Sequence, residues 1–383
     1  MKEQFQKVET GKKIVLIANT AWNLWNYRYA LIRALIQSGY TVVLVAPDDR
    51  FRDLLLQIPG VRFIPLRHLS RKGLSPLQNL KLLLELYRIF RQEKPDITLL
   101  YTVKPNILGN FAAALAGGVK TVSVVEGLGY SGSAAVRWRW LAALLYRLAL
   151  RKTQKVVFLN RDDCREFLNK HLIRPAQAQI IPGPGIDLRH FQPAANPPAD
   201  PVIFLFSGRL LSEKGIREFA EAARLLRREN TRAIFRILGA PDPGNPASIH
   251  KDEVSGWAAE GFLEYLGSAD DVRPALAEAH VLVLPSFYRE GVPRSVLEAM
   301  AMGKIIITTD TPGCRDTVEE GRNGFLVPPR DTVALLNAMR RVIQLTPEQR
   351  AGMSAWSIQK VKGEFRDGIV LPQYIDLLET LIF

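Results

Sequence analysis

Two glutamates set the chemical question. Glu290 and Glu298 stand eight positions apart in Glu-Gly-Val-Pro-Arg-Ser-Val-Leu-Glu, which runs on into Ala299-Met300-Ala301-Met302-Gly303. Paired carboxylates can work as acid and base at a glycosidic bond. They can equally grip hydroxyls, because a Glu accepting from vicinal hydroxyls is how dinucleotide folds hold a ribose. A second stretch, Ser207-Gly208-Arg209-Leu210-Leu211-Ser212-Glu213-Lys214-Gly215, supplies the opposite charge. Arg209 and Lys214, five apart, can converge on one diphosphate, and Gly208 lets the backbone come close to it. A helix beginning near Gly215 would add the positive end of its dipole. Taken singly, either stretch also reads as a solvated loop with incidental charge or as a Glu in a helix's first turn. Together they raise the functional reading of both stretches: a diphosphate held by the cations, and carboxylates that could either grip hydroxyls or carry protons.

These residues need a scaffold. Val281–Ser286 precedes the glutamates and Lys304–Thr309 follows them, both apolar runs that read as buried parallel strands. Glu290 then falls on a loop at a strand's carboxyl end and Glu298 inside the next helix, on the edge where open α/β sheets bind ligands. Further strands are expected at 13–18, 41–46, 62–65, 97–101, 121–125, 156–159, 202–206, 233–238, 262–266 and 324–327. Helices are expected at 29–38, 76–92, 106–116, 138–150, 161–170, 215–228, 251–260, 274–279, 332–345, 347–358 and 372–381. A loop rich in Asn and Trp, residues 19–26, separates the first strand from its helix. The regular alternation predicts two Rossmann-like α/β domains in tandem, joined by the Pro/Gly-rich stretch 182–201. The boundaries follow as 1–190, 191–371, and a last helix over 372–383.

Net charge divides unevenly. Residues 1–190 carry 29 Lys and Arg against 13 Asp and Glu, an excess of 16, whereas the remainder carries 22 against 25. A basic half suits a polyanion or an anionic membrane. No helix-turn-helix, zinc or RNA-recognition signature accompanies it, so a membrane surface is favoured over nucleic acid. Trp138, Trp140, Leu141, Leu144 and Leu145, set among Arg137, Arg139 and Arg147, would suit an interfacial helix or a core helix with a basic outer face. No apolar run reaches the ~18 residues of a spanning helix. Cys164 and Cys314 fit no metal or disulfide spacing, which points to a reducing cytoplasmic setting. The five His are scattered and no Asp-x-Asp occurs, so no metal is expected. Gly127-Leu128-Gly129-Tyr130-Ser131-Gly132 satisfies the dinucleotide pattern but lies outside the opening unit, and no acid closes the next strand. Its glycines are read as space for another substrate. Glu126, at the strand end before them, either faces that substrate or pairs with a nearby Arg or Lys.

The loop at 207–215 and the segment 290–303, with Thr311-Pro312-Gly313-Cys314-Arg315-Asp316 and Gly321-Arg322-Asn323-Gly324, resemble the family-4 retaining glycosyltransferases. That resemblance implies a GT-B fold, two Rossmann-like domains facing each other across a cleft. It extends to bacterial enzymes acting on polyprenyl-diphosphate-linked acceptors through Ser70-Arg71-Lys72-Gly73, Thr102-Val103-Lys104-Pro105-Asn106 and Tyr288–Ser295. It implies that Arg209 and Lys214, with Gly208, bind the donor diphosphate and that Glu298 holds the ribose. Glu290, with Gly291 and Val292, would contact the donor sugar, while Arg71, Lys72, Lys104, Asn106 and Gly127 would serve the acceptor. Many members carry His where this chain has Glu126, which makes Glu126 a candidate for the reaction centre. In such enzymes the departing diphosphate takes the acceptor's proton, consistent with a chain that shows no nucleophile–base pair.

The expected activity is retaining, metal-independent transfer of a hexose or N-acetylhexosamine. The donor would be a UDP-sugar and the acceptor a lipid-linked saccharide, at the inner face of the membrane. A transferase with a soluble acceptor and a basic nucleic-acid-binding protein are the alternatives.

Overall fold

The computed structural model describes residues 11–70, 75–127, 144–193, 197–243 and 245–383. The chain forms two compact units. One holds the residues up to Gly185 together with Asp367–Phe383, and the other runs from Ile186 to Arg366.

In the first unit seven parallel strands are β1 (Lys13–Ile17), β2 (Thr41–Ala46), β3 (Val61–Pro65), β4 (Ile97–Tyr101), β5 (Thr121–Val125), β6 (Lys155–Phe158) and β7 (Ala178–Ile180). Their order is β3-β2-β1-β4-β5-β6-β7. Register is fixed at the centre, where Ile14 lies opposite both Val42 and Ile97. Runs such as Ile-Val-Leu-Ile and Val-Val-Leu-Val are buried throughout because helices cover both faces of a parallel sheet. The order reverses between β1 and β4, which makes the loops after these strands the natural ligand edge.

The second unit repeats the plan with β8 (Val202–Ser207), β9 (Ala233–Leu238), β10 (Glu264–Tyr265), β11 (Val281–Leu284), β12 (Ile305–Thr309) and β13 (Gly324–Val327). The order is β10-β9-β8-β11-β12-β13, again all parallel, with the reversal between β8 and β11.

Three sequence expectations need correction. The first helix spans Ala21–Gln37, so most of the presumed Asn/Trp loop is its opening turns; the Thr20 hydroxyl caps it by accepting from the Asn23 N–H at 3.0 Å. The last helix begins at Asp367 rather than Pro372, and the proline lies inside it. The proline suggested a start because it is favoured at the first helical position, but Asp367 already stands in the first turn. The division between units falls at Gly185/Ile186, inside the Pro/Gly-rich stretch, where the Ile186 N–H bonds to the Phe365 carbonyl at 3.1 Å. Residues 144–150 are helical, while Trp138, Trp140 and Leu141 lie outside the described residues. Among the described residues no helix is long and apolar enough to cross a membrane.

Candidate active site

The strand reversal in the second unit decides which loops meet. β8 and β11 are adjacent, so the loop leaving Ser207 and the loop leaving Leu284 share one carboxyl edge. Backbone bonds join them: the N–H groups of Phe287 and Tyr288 both donate to the Glu213 carbonyl at 3.0 Å. Gly215 makes the approach possible. It has φ of 74°, and a Cβ there would stand 2.1 Å from the Pro285 carbonyl oxygen.

Lys214 and Glu290, separated by 76 positions in the chain, form an ion pair on this edge. The Ser286 hydroxyl donates to the same Glu290 oxygen at 3.1 Å. Both charged side chains are largely buried, at 13% and 12% exposure. Such a pair needs close hydrogen-bonded geometry to offset desolvation. The Glu290–Gly291 turn is backed by Gly313, whose φ is 79° and whose Cβ would fall 2.0 Å from the Gly291 carbonyl oxygen. Within Thr311-Pro312-Gly313 it is therefore the glycine that lets the carboxylate-bearing loop pass. Cys314 lies buried beside this site, and burial pushes its thiol up to about 11, with the Glu290 charge acting in the same direction.

Glu298 occupies the helix Arg294–Ala301, one turn past Arg294, whose Nε donates to it at 2.9 Å. Burial holds its carboxyl above the usual range, with Arg294 opposing that shift. Arg209 reaches instead to Asp242 at 2.9 Å. The two cations of the 207–215 loop are thus held by different carboxylates, Lys214 by Glu290 and Arg209 by Asp242. Gly208 precedes Arg209 on this loop, and a Cβ there would meet nothing within 4 Å. Open space at that point leaves room for a ligand. Gly291 and Val292 are buried in the turn after Glu290.

The first unit gathers a second polar group on its own carboxyl edge. Glu126 follows β5 and pairs with Arg28, which is 1% exposed and lies under it. The Arg28 guanidinium stacks 4.2 Å from the Tyr101 ring centre, and burial pushes the Tyr101 and Tyr374 hydroxyls up, the latter to about 12. The Asn23 amide comes to 3.5 Å of the other Glu126 oxygen. The ion-pair reading of Glu126 therefore holds, and its carboxylate is fixed in place rather than free.

Asn106 departs from its expected role. Its side-chain N–H donates to the Val124 carbonyl at 2.9 Å, tying β5 to the wide turn Pro105–Gly109, and its backbone carbonyl accepts from the Asn110 side chain at 2.6 Å. With 1% exposure it is a brace between elements rather than an acceptor ligand. Lys104 donates to the Ser70 carbonyl at 2.5 Å, and burial lowers its pKa. Gly127 has φ of 112°, within the range only glycine adopts readily. Arg71 and Lys72 lie outside the described residues, as do the remaining residues of the glycine pattern at 128–132.

Two family models match the chain in tandem. "Glycosyl transferase 4-like domain" covers residues 24–184 and "Glycosyl transferases group 1" covers 201–345. The chain belongs to the glycosyltransferases. Among its relatives is the N,N'-diacetylbacillosaminyl-diphospho-undecaprenol alpha-1,3-N-acetylgalactosaminyltransferase of Campylobacter jejuni, at 25% identity over 97% of this chain and 99% of the relative. A UDP-Gal:alpha-D-GlcNAc-diphosphoundecaprenol alpha-1,3-galactosyltransferase of Escherichia coli is 28% identical over 71% and 72%. Among solved structures, sucrose-phosphate synthase from Thermosynechococcus elongatus superposes with a TM-score of 0.81 at 21% identity, covering 97% of this chain and 99% of that one. HepE from Anabaena, in complex with UDP-glucose, gives 0.77 at 17% identity over 96% and 99%. The glycosyltransferase thus has the GT-B fold.

Sequence reasoning about this glycosyltransferase missed Arg28, Tyr101, Ser286 and Asp242. Arg28 and Tyr101 gave no motif, since an Arg in an amphipathic helix and a Tyr at a strand's end are commonplace. Ser286 carried a faint signal, standing at the end of the apolar run 281–286 and four residues before Glu290.

Proposed function

We propose that the enzyme transfers a hexose or N-acetylhexosamine from a UDP-sugar to a polyprenyl-diphosphate-linked saccharide in surface polysaccharide or glycan assembly. Transfer proceeds with retention and without a metal ion, at the cytoplasmic face of the membrane. The observation that carries this reading is the convergence of Lys214, Glu290 and Ser286 at the sheet reversal, with Glu298 on the helix that follows. The two relatives described above are named for acceptors of this chemistry, and one of them for a UDP-linked donor.

In this reading Lys214 meets the donor diphosphate and offsets the negative charge that builds on it as the glycosidic bond breaks. Arg209, displaced from Asp242, adds a planar donor to the same group. Glu290 accepts from hydroxyls of the donor sugar, and Ser286 with Lys214 holds its orientation. Glu298 accepts from the ribose. In this reading the Ser286 hydroxyl serves to orient Glu290, and the acceptor's proton passes to the departing diphosphate. Cationic side chains fill the role a metal would otherwise serve.

A thermal-shift panel of UDP-, GDP- and ADP-sugars tests the donor. Preferential stabilisation by UDP-sugars is expected, because a ligand that binds only the folded state raises its melting temperature. Equal response to all three bases would remove the donor assignment. Full turnover in EDTA is expected, and a rate restored only by added magnesium or manganese would sink metal independence. A product that inverts the anomeric centre by NMR would sink retention.

A further inference from the structure

The helix Pro76–Glu93 turns two different apolar faces outward from its axis. Leu82, Leu86, Ile89 and Phe90 are buried in the core of the first unit against Val15, Ile17, Leu100 and Ala112. Leu77, Leu80 and Leu84 instead face solvent, at 62%, 51% and 44% exposure. At ~100° per residue these three share one arc of about 100° with Lys81, Arg88 and Arg91. Lys81, Arg88 and Arg91 are all exposed. The arc runs roughly 20 Å along the helix at ~1.5 Å per residue.

Both acids of this helix are engaged elsewhere. Glu85 accepts from the backbone N–H groups of Arg67 and His68 at 2.9 and 3.1 Å. Glu93 is buried, paired with Arg62 and with Lys13. The exposed arc therefore presents leucines and cations without a carboxylate. Ordinary solubility does not call for three leucines in register on a solvent face. A second copy of the chain is a poor occupant, because two such faces would bring like charges together. Apolar insertion flanked by Lys and Arg matches the boundary layer of an anionic bilayer.

We propose that this outer face of Pro76–Glu93 docks the enzyme on an anionic phospholipid surface. The leucines enter the headgroup boundary, and Lys81, Arg88 and Arg91 lie against the lipid phosphates. The proposal rests on the lipid-linked acceptor reading and adds the surface by which the enzyme reaches it.

Flotation of the full-length protein with vesicles of phosphatidylglycerol and phosphatidylcholine in equal parts tests the face. Leu77→Ser/Leu80→Ser/Leu84→Ser should lower vesicle partitioning by tenfold or more. Arg88→Gln/Arg91→Gln should lower it on the order of tenfold at low salt, the difference shrinking as salt rises. Val333→Ser, at an exposed apolar residue of the other unit, should float as the parent does. Equal flotation of the leucine variant and the parent overturns the proposal, as does parent binding that is undiminished on pure phosphatidylcholine. If the leucine variant loses its circular-dichroism melt, the arginine variant decides alone. Transfer to a short-chain prenyl-diphosphate saccharide in detergent separates the two readings. Flotation without transfer keeps the face and removes the acceptor, whereas transfer with unaltered flotation of the leucine and arginine variants does the reverse.

Discussion

Lys214 and Glu290 form an ion pair, so in the proposed reading a bound donor competes for both. Lys214→Ala should cut turnover by 100-fold or more, since a preorganised cation aimed at developing charge contributes about 3–4 kcal/mol. Lys214→Arg should recover only part of it, because a planar fork does not reproduce a compact ammonium. Steady-state kinetics with a UDP-sugar checks both, and an unchanged kcat for Lys214→Ala would remove the residue from the site. Glu298 makes a pH prediction. Its carboxyl titrates above the ordinary value in the folded chain because of burial, so its favourable contribution to stability is complete below the unfolded pKa and is lost as pH rises through the folded one. The parent should therefore gain stability relative to Glu298→Gln as pH falls from neutral. Donor affinity should move the other way over the same range, because a protonated carboxyl accepts fewer hydrogen bonds from a ribose. Paired thermal melts and calorimetric titrations separate the two trends; parallel movement of both would contradict the ribose assignment.

At the scale of elements, the site depends on loops that only glycine allows to touch. Gly313→Ala places a Cβ against the Gly291 carbonyl at a φ that side chains disfavour. It should cost about 2 kcal/mol of stability and a larger share of activity, since the Glu290 loop is what must move. Activity surviving intact would show that the loop tolerates displacement. His280 ties three elements together. Its Nδ1 accepts from the Ile203 N–H at 3.0 Å, and its Nε2 lies 3.0 Å from the Pro198 carbonyl, which fixes the neutral tautomer with the proton on Nε2. Burial, with Arg350 next, pushes its pKa down to about 4. A depressed folded value means the contribution is present above the unfolded pKa of 6.5 and is lost as pH falls towards 4. Over that window the second unit should lose about 1–3 kcal/mol. Denaturant unfolding of the parent and His280→Gln should diverge above pH 6.5 and converge near pH 4. A constant gap would mean that His280 does not titrate there.

On the scale of the whole molecule, charge divides unevenly between the halves. The basic excess lies in residues 1–190, while the cluster assigned to the donor lies in the unit from Ile186 to Arg366. Hydrogen exchange on adding UDP should therefore slow at 207–215 and 286–298 while the strands of the first unit stay unchanged. Protection confined to the first unit would reverse the assignment of donor and acceptor. Arg28 offers a stability test in that unit. Arg28→Ala leaves Glu126 without its buried partner and should cost about 3–5 kcal/mol, seen as a lowered urea midpoint. An unchanged midpoint would show that solvent replaces the guanidinium without loss.

Much of this was legible in the residues themselves. Strands at 97–101, 121–125, 233–238 and 324–327 were readable to the residue, because these mostly apolar runs are too short for helices and are closed by turns. Glu290 and Glu298 were readable as a loop residue and a helix residue for the same reason, and the flanking strands placed them on a carboxyl edge. Partnership was not legible. That Lys214 meets Glu290, that Arg209 turns to Asp242 and that Asn106 braces β5 depend on which strands become neighbours. Strand order is set by crossovers spanning tens of residues, which local pattern does not encode. The Ala21–Gln37 helix was read short because Asn and Trp are weak helix formers, and packing overrode that preference. So too with Leu77, Leu80 and Leu84: the sequence showed an apolar helix, but only the packed sheet decided which leucines it could cover and which it left to face outward.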